Sequence, residues 1–227
     1  MIRQACSVGV VAVLAPLLGL WGPGLVIAHA MPDAVSLQES IPSGQQYGCL
    51  VCHADKRRAH QLGVHSDRGV RCHDCHGGDP TSYETPQAHG GAFKGSLGKL
   101  ESVAVCASCH SDPDQMRQYG LPSDQIAELR TSRHGQLLLD EGNLDAPSCS
   151  DCHDPHTTLR SDDARSGVHP TNISATCARC HDDSGLMAPY GIPTGQVAEH
   201  RHSAHGIALF EEQNFAAPTC IGCHGSH

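Results

Sequence analysis

Six copies of one pattern run through this chain: two cysteines three apart with a histidine directly after the second. They are Cys49-Cys52-His53, Cys72-Cys75-His76, Cys106-Cys109-His110, Cys149-Cys152-His153, Cys177-Cys180-His181 and Cys220-Cys223-His224, and they use every cysteine except Cys6. This is the attachment pattern of a c-type haem. The two thiols bond the porphyrin vinyl groups and the histidine sits under the iron as an axial ligand. Zinc ribbons pair Cys-x-x-Cys but need no histidine after every second cysteine. A disulfide scaffold leaves six adjacent histidines unexplained. Iron–sulfur clusters use other cysteine runs. The residues therefore point to six covalently bound haem c groups, held by those twelve cysteines.

The motifs are spaced by an internal repeat. Residues 106–156 align without a gap onto 177–227, displaced by 71 positions, with about half the residues identical. Tyr119-Gly120-Leu121-Pro122 matches Tyr190-Gly191-Ile192-Pro193, and Ser132, His134 and Gly135 match Ser203, His205 and Gly206. Each repeat opens and closes on a haem motif, so the unit is a dihaem module. Residues 157–176 link the two modules, and 49–105 form an N-terminal dihaem region whose motifs are closer together. Little regular structure is expected in that region, because Gly and Pro are frequent. In each repeat Pro122 or Pro193 starts a helix. Ile126, Arg130, His134 and Leu138 then share one face at i, i+4 spacing. The expected fold is mainly irregular with short α-helices, little or no β-sheet, and the chain wrapped around a stack of haems.

Imidazole on both faces of the iron gives a saturated haem suited to electron transfer. Six such sites need six histidines beyond the motif ones. His134 with His205, and His156 with His227, are retained in the repeat. His156 follows His153 too closely to reach the far face of the same haem, but it is free to reach a neighbour. His65 and His169 both follow Gly-Val upstream of a motif, and His89 is the remaining candidate near the N-terminus. That makes seven candidates for six sites. His60 competes with His65, His73 lies inside its own haem loop, and His200 and His202 stand where the other repeat has Leu129 and Thr131. Met116 and Met187 recur as core packing.

Composition agrees. Only 4% of the residues are aromatic, a poor supply for an ordinary core of 227 residues, while 18 are histidine. Haems would supply the missing apolar volume. The formal charge is -9, and no basic run with interleaved aromatics suggests nucleic acid. Residues 1–30 read as a secretory signal: Arg3, an apolar run from Val8, and Ala28-His29-Ala30 before the cleavage point. The alternative is an uncleaved membrane anchor. Residues 31–48 are a polar leader.

The segments Tyr-Gly-Leu-Pro…Ser-Arg-His-Gly…Ala-Pro-Ser-Cys-Ser-Asp-Cys-His-Asp-Pro-His, their counterparts in the second repeat, and Gly167-Val168-His169-Pro170-Thr171-Asn172 resemble the bacterial multihaem cytochromes c. The resemblance implies bis-histidine haems, a location in the periplasm or on the outer cell surface, and respiratory electron transfer. Its redox partners would be a membrane quinol-oxidising cytochrome and a terminal reductase. The chain stops at His227, where similar proteins commonly continue, and a missing tail would leave the distal ligand of the last haem unassigned. The function expected is an electron carrier rather than an enzyme. The rival is a multihaem reductase of a small nitrogen or sulfur oxyanion, which needs one iron with an open face. No motif carries the lysine in place of histidine that some multihaem nitrite reductases use.

Overall fold

A computed structural model describes residues 47–225 and 227; the expected signal segment, and the leader up to Gln46, lie outside them. Among the described residues every regular element is helical and none is a strand. The helices are α1 Gly48–Cys52, α2 Ala54–Leu62, α3 Val64–Asp67, α4 Cys72–His76, α5 Thr85–Ala88, α6 Lys99–His110, α7 Pro113–Arg117, α8 Gln125–Thr131 and α9 Arg133–Gly135, then α10 Cys149–Cys152, α11 Pro170–His181, α12 Ser184–Met187, α13 Gln196–His202, α14 Ala204–Phe210 and α15 Cys220–His224. A π-turn, Gln136–Asp140, continues α9, and a 3-10 turn, Ala188–Tyr190, follows α12.

The N-terminal region is more helical than its glycine content implies. Glu101 accepts a hydrogen bond from the Gly98 N–H at 2.8 Å, which caps α6 and lets the Lys99–Val105 run wind onto the third motif.

The repeat helix also departs from expectation. It begins at Gln125 and Gln196, three residues after the prolines, and it breaks at Ser132 and Ser203. Each serine accepts from the N–H of the glycine three residues on, Gly135 at 3.0 Å and Gly206 at 3.2 Å, and so caps a new helix. Its hydroxyl also donates back to Leu129 or His200 carbonyl at 2.7 Å. Arg130 and His134 therefore lie on different helices rather than on one continuous face. The break needs glycine next to the histidine: a Cβ on Gly135 would collide with the Leu129 carbonyl, and one on Gly206 with that of His200.

Side chains alone form a small core. Nine apolar residues are buried among those described, and Leu138 and Leu209, equivalent in the repeat, are fully enclosed. Val103, Leu129, Leu138 and Ala146 make one cluster, with Ile126, Leu137 and Leu139 against it. Met116 and Met187 are buried, as core packing requires. Large apolar side chains such as Leu62, Leu144 and Phe215 stay exposed.

Candidate haem sites

The motifs occupy two kinds of helix. The third and fifth end the two 12-residue helices, α6 and α11. The others are short helices of their own. In every case the i, i+3 spacing sets both thiols on one helical face, beside the following imidazole. α6 and α11 stop just past the motif histidine because Asp112 and Asp183 each cap the next helix.

The motifs neighbour one another in chain order. The Tyr47 hydroxyl is hydrogen-bonded to His73 Nδ1 at 2.9 Å and lies beside Cys49 and Cys72; burial raises its pKa. Contact with the Cys149 thiol pushes Cys106 far above the ordinary thiol range and draws Cys149 down. Burial, then Cys220 beside it, pushes Cys177 up to about 12. Cys75 is raised by burial and by the nearby Cys106, and Cys152 by burial with Cys180 also near. Lys99 donates to the Ala146 carbonyl at 2.9 Å and pairs with Asp151 at 3.7 Å, tying the third motif's helix to the fourth motif. Arg179 donates to the Asp151 carbonyl, tying the fifth to the fourth.

Five motif histidines face a second imidazole. The pairs are His53 with His89, His65 with His110, His76 with His156, His134 with His181, and His153 with His227. Their ring centres are 6.1 to 6.2 Å apart. A metal–nitrogen bond of about 2 Å on each side, plus about 1.1 Å from nitrogen to ring centre, requires about 6.2 Å. The spacing matches a metal held between the rings. Leu62, Cys152, His153 and Leu159 border a cavity of about 240 Å³ beside the fourth motif. His76 Nδ1–H donates to the Gly95 carbonyl at 2.8 Å, which leaves Nε2 bare for a metal. Partial burial holds the His65, His110 and His153 imidazoles below their ordinary pKa, and so neutral.

The donors are placed by local turns. The Asp154 carboxylate accepts from the His156 and Thr157 N–H groups at 2.9 and 3.0 Å. The Thr158 carbonyl then accepts from Val64 N–H at 2.8 Å. One loop thus sets His156 and braces the segment carrying His65. Gly63 allows that approach, since a Cβ there would lie 3.2 Å from Thr158 N. At the next junction His227 Nδ1 lies 3.9 Å from the Glu128 carboxylate, near the segment that carries His134.

Of the seven candidates, the structure brings His65, His89, His134, His156 and His227 to a motif histidine. It does not bring His169 or His205. His169 is buried, its Nδ1 accepts from Thr171 N–H, and its ring meets Phe215 edge-on. It caps the start of α11, about 12 Å along the axis from Cys177 and about 18 Å from His181 of the motif that ends that helix. His205 and His224 are exposed and have no imidazole opposite among the described residues. The histidines set aside are engaged elsewhere: His60 Nε2–H donates to Val70 carbonyl, His200 Nε2–H to Pro218, and His202 Nδ1–H to Ala198. Tyr47 escaped sequence reasoning; its place two residues before Cys49 is the only signal it carries.

No helix among the described residues is long and apolar enough to cross a membrane. No protein-family model matches the chain, and no solved structure matches it. The chain is similar to the multiheme cytochrome MtrA of Shewanella baltica (strain OS185), 28% identical over 134 residues, which are 59% of this chain and 31% of that protein. It thus spans less than a third of that relative's length.

Proposed function

We propose that the chain is an exported c-type cytochrome that carries electrons between respiratory partners through six covalently bound haems. Haem iron supplies one-electron chemistry, and two imidazole ligands let it change oxidation state with little change of geometry. The observation that carries this reading is the set of five imidazole pairs at 6.1 to 6.2 Å, each built on a Cys-x-x-Cys-His. The chain's own residues do the positioning. Helices aim each thiol pair, and backbone carbonyls such as Gly95 orient an imidazole. Thiol contacts set the motifs side by side in chain order, an arrangement suited to passing electrons along a line. The similarity to a multihaem cytochrome supports the same reading. The acidic charge of -9 suits a cationic docking patch on a redox protein. A membrane quinol-oxidising cytochrome on one side and a terminal reductase on the other fit this role, in the periplasm or at the outer cell surface.

One observation favours the rival reading: among the described residues no imidazole ring pairs with His224, as a reductase with one substrate-accepting iron would require. Intact mass and turnover separate the two. The mature protein is expected to carry six haems, to be reduced and reoxidised reversibly, and to turn over neither nitrite nor hydroxylamine. Free thiols in place of haem would sink both readings; steady turnover of nitrite would select the reductase.

A further inference from the structure

The interface between opening helix and closing motif changes chemistry from one repeat to the other. α6 and α11 correspond at the same displacement of 71 residues. In the first repeat polar groups bridge α6 to α10. Lys99 reaches the Ala146 carbonyl and Asp151, and Ser102 Oγ donates to Ser150 Oγ at 3.4 Å. In the second repeat Pro170, Ile173, Ile221 and Gly222 stand at the positions of Lys99, Ser102, Ser150 and Asp151. Every bridging side chain is replaced by an apolar one or by none. A cavity of about 600 Å³ lies there, walled by Val168, Pro170, Ile173, Phe215, Pro218 and Ile221.

His169 opens onto this cavity with only 6% of its surface exposed. Its Nδ1 accepts from the Thr171 N–H at 3.3 Å and from the Thr171 hydroxyl at 2.7 Å. The proton of the neutral ring therefore sits on Nε2, which meets no hydrogen-bond partner among the described residues. This is the reverse of His76, whose Nδ1–H donates to the Gly95 carbonyl and leaves Nε2 bare for iron. The cavity also lies behind the last motif rather than on its haem side. Cys220, Cys223 and His224 share one face of α15, and Ile221 and Gly222 turn to the other. Only the second pair lines the cavity. Gly222 makes the room: the other five motifs carry Val51, Asp74, Ser108, Asp151 and Arg179 at that place.

Three features set the chemistry of an occupant. The Nε2–H of His169 calls for a hydrogen-bond acceptor. The half-exposed Phe215 ring, edge-on to His169 with centres 5.4 Å apart, offers a face to a flat ring. The lining holds no Lys or Arg, and its one carboxylate, Asp162, disfavours an anion. We propose that this cavity binds a neutral aromatic carbonyl compound of the quinone class. Its carbonyl oxygen accepts from His169 Nε2–H, and its ring lies between Phe215 and the wall of Ile173 and Ile221. The site is separate from the six haem sites and rests on the haem reading only in that the last motif forms its back wall.

The test is equilibrium dialysis of the oxidised, haem-loaded chain against 2,3-dimethyl-1,4-naphthoquinone, whose methyl groups block addition to a thiol. The matching dimethylnaphthalene, which lacks the acceptor, is the second probe. With every haem ferric, no electron passes to the probe and dialysis reports binding alone. One quinone is expected per chain. His169→Phe should weaken the quinone about fivefold and leave the hydrocarbon unchanged, as the loss of one hydrogen bond requires. His169 also caps α11, so Gly222→Leu is the variant that leaves that helix alone. A Cβ at Gly222 meets nothing closer than Pro218 Cβ at 3.6 Å, so the leucine should fill the cavity and abolish binding with the haems retained. No binding to the wild type, or binding that survives Gly222→Leu, would overturn the proposal. So would equal weakening of both probes by His169→Phe. A new high-spin ferric haem in that variant, by electron paramagnetic resonance, would make His169 an iron ligand and overturn it too. Intact mass is read on every sample. Missing haem counts against the function proposed above, whereas lost quinone binding with six haems retained counts against the cavity alone.

Discussion

Residues 106–156 and 177–227 match at about half their positions and carry the same motifs at the same spacing. Their ligands nonetheless stand in different states. His134 and His153 each face an imidazole, and among the described residues their equivalents His205 and His224 do not. The difference is not local, since the Ser–Gly cap beside the distal histidine is the same in both. It arises because neither repeat supplies, from within itself, the imidazole that faces its motif histidine. Each lends a histidine forward and takes one back, as stacked repeats share a core through their neighbours. Completeness of a site is then a property of the junction rather than of the repeat. The junction sites also fall into two geometric classes. The rings receiving a returning histidine are nearly parallel, at 12° for His76–His156 and 8° for His153–His227. Those receiving a forward one are tilted, at 65° for His65–His110 and 51° for His134–His181.

The strongest way to break this comparison is to remove a haem from each kind of position. Replacing Cys149 and Cys152 with Ala takes out a haem whose motif touches both neighbours, and little mature protein is expected. Replacing Cys220 and Cys223 takes out the last one, and a five-haem protein should still accumulate. Intact mass and yield of exported protein measure both; equal losses would show that the sites do not depend on neighbours.

Next in size is the direction of ligand exchange. His134→Ala is expected to add one high-spin ferric haem in the resonance spectrum. In a variant that already lacks the Cys177–Cys180 haem, His134→Ala should add none. If it still adds one, His134 serves a haem of its own repeat and the exchange between modules is wrong.

The smallest effect separates two equivalent tyrosines. The Tyr190 hydroxyl accepts from Asn143 at 2.8 Å and donates to Asp145 at 3.1 Å, across the junction. Tyr119 instead places its ring under the Arg68 guanidinium, 5.2 Å away. Tyr190→Phe should cost about 0.5–1.5 kcal/mol in denaturant titration, whereas Tyr119→Phe, which keeps its ring, should cost less. Equal costs would mean that the hydroxyl bridge contributes nothing to the docking of the repeats.

How much of this was readable in advance follows the range of each interaction. The helix break at Ser132 and Ser203 was legible in principle, since serine three residues before a glycine is a capping signal, but the i, i+4 run through His134 masked it. The place of His169 was not legible. Gly-Val-His precedes a motif in both instances, yet the Gly63 segment is braced by Thr158, whereas His169 is spent on capping α11. Both sequences permit a ligand; only the neighbouring loop makes one.

The sequence alone determined the attachment points, because a thiol pair and its following imidazole are set within one helical turn by chain connectivity. It also determined the repeat, and through the scarcity of aromatic side chains it excluded an ordinary packed core. Tertiary structure alone decided which histidine stands opposite which. His76 and His156 are far apart in the chain, and so are His153 and His227, and nothing in the residues between them encodes the pairing. His89 faces His53 within the N-terminal region, but the other four opposing imidazoles come from a neighbouring segment, so their placement rests on packing between segments rather than on any local pattern.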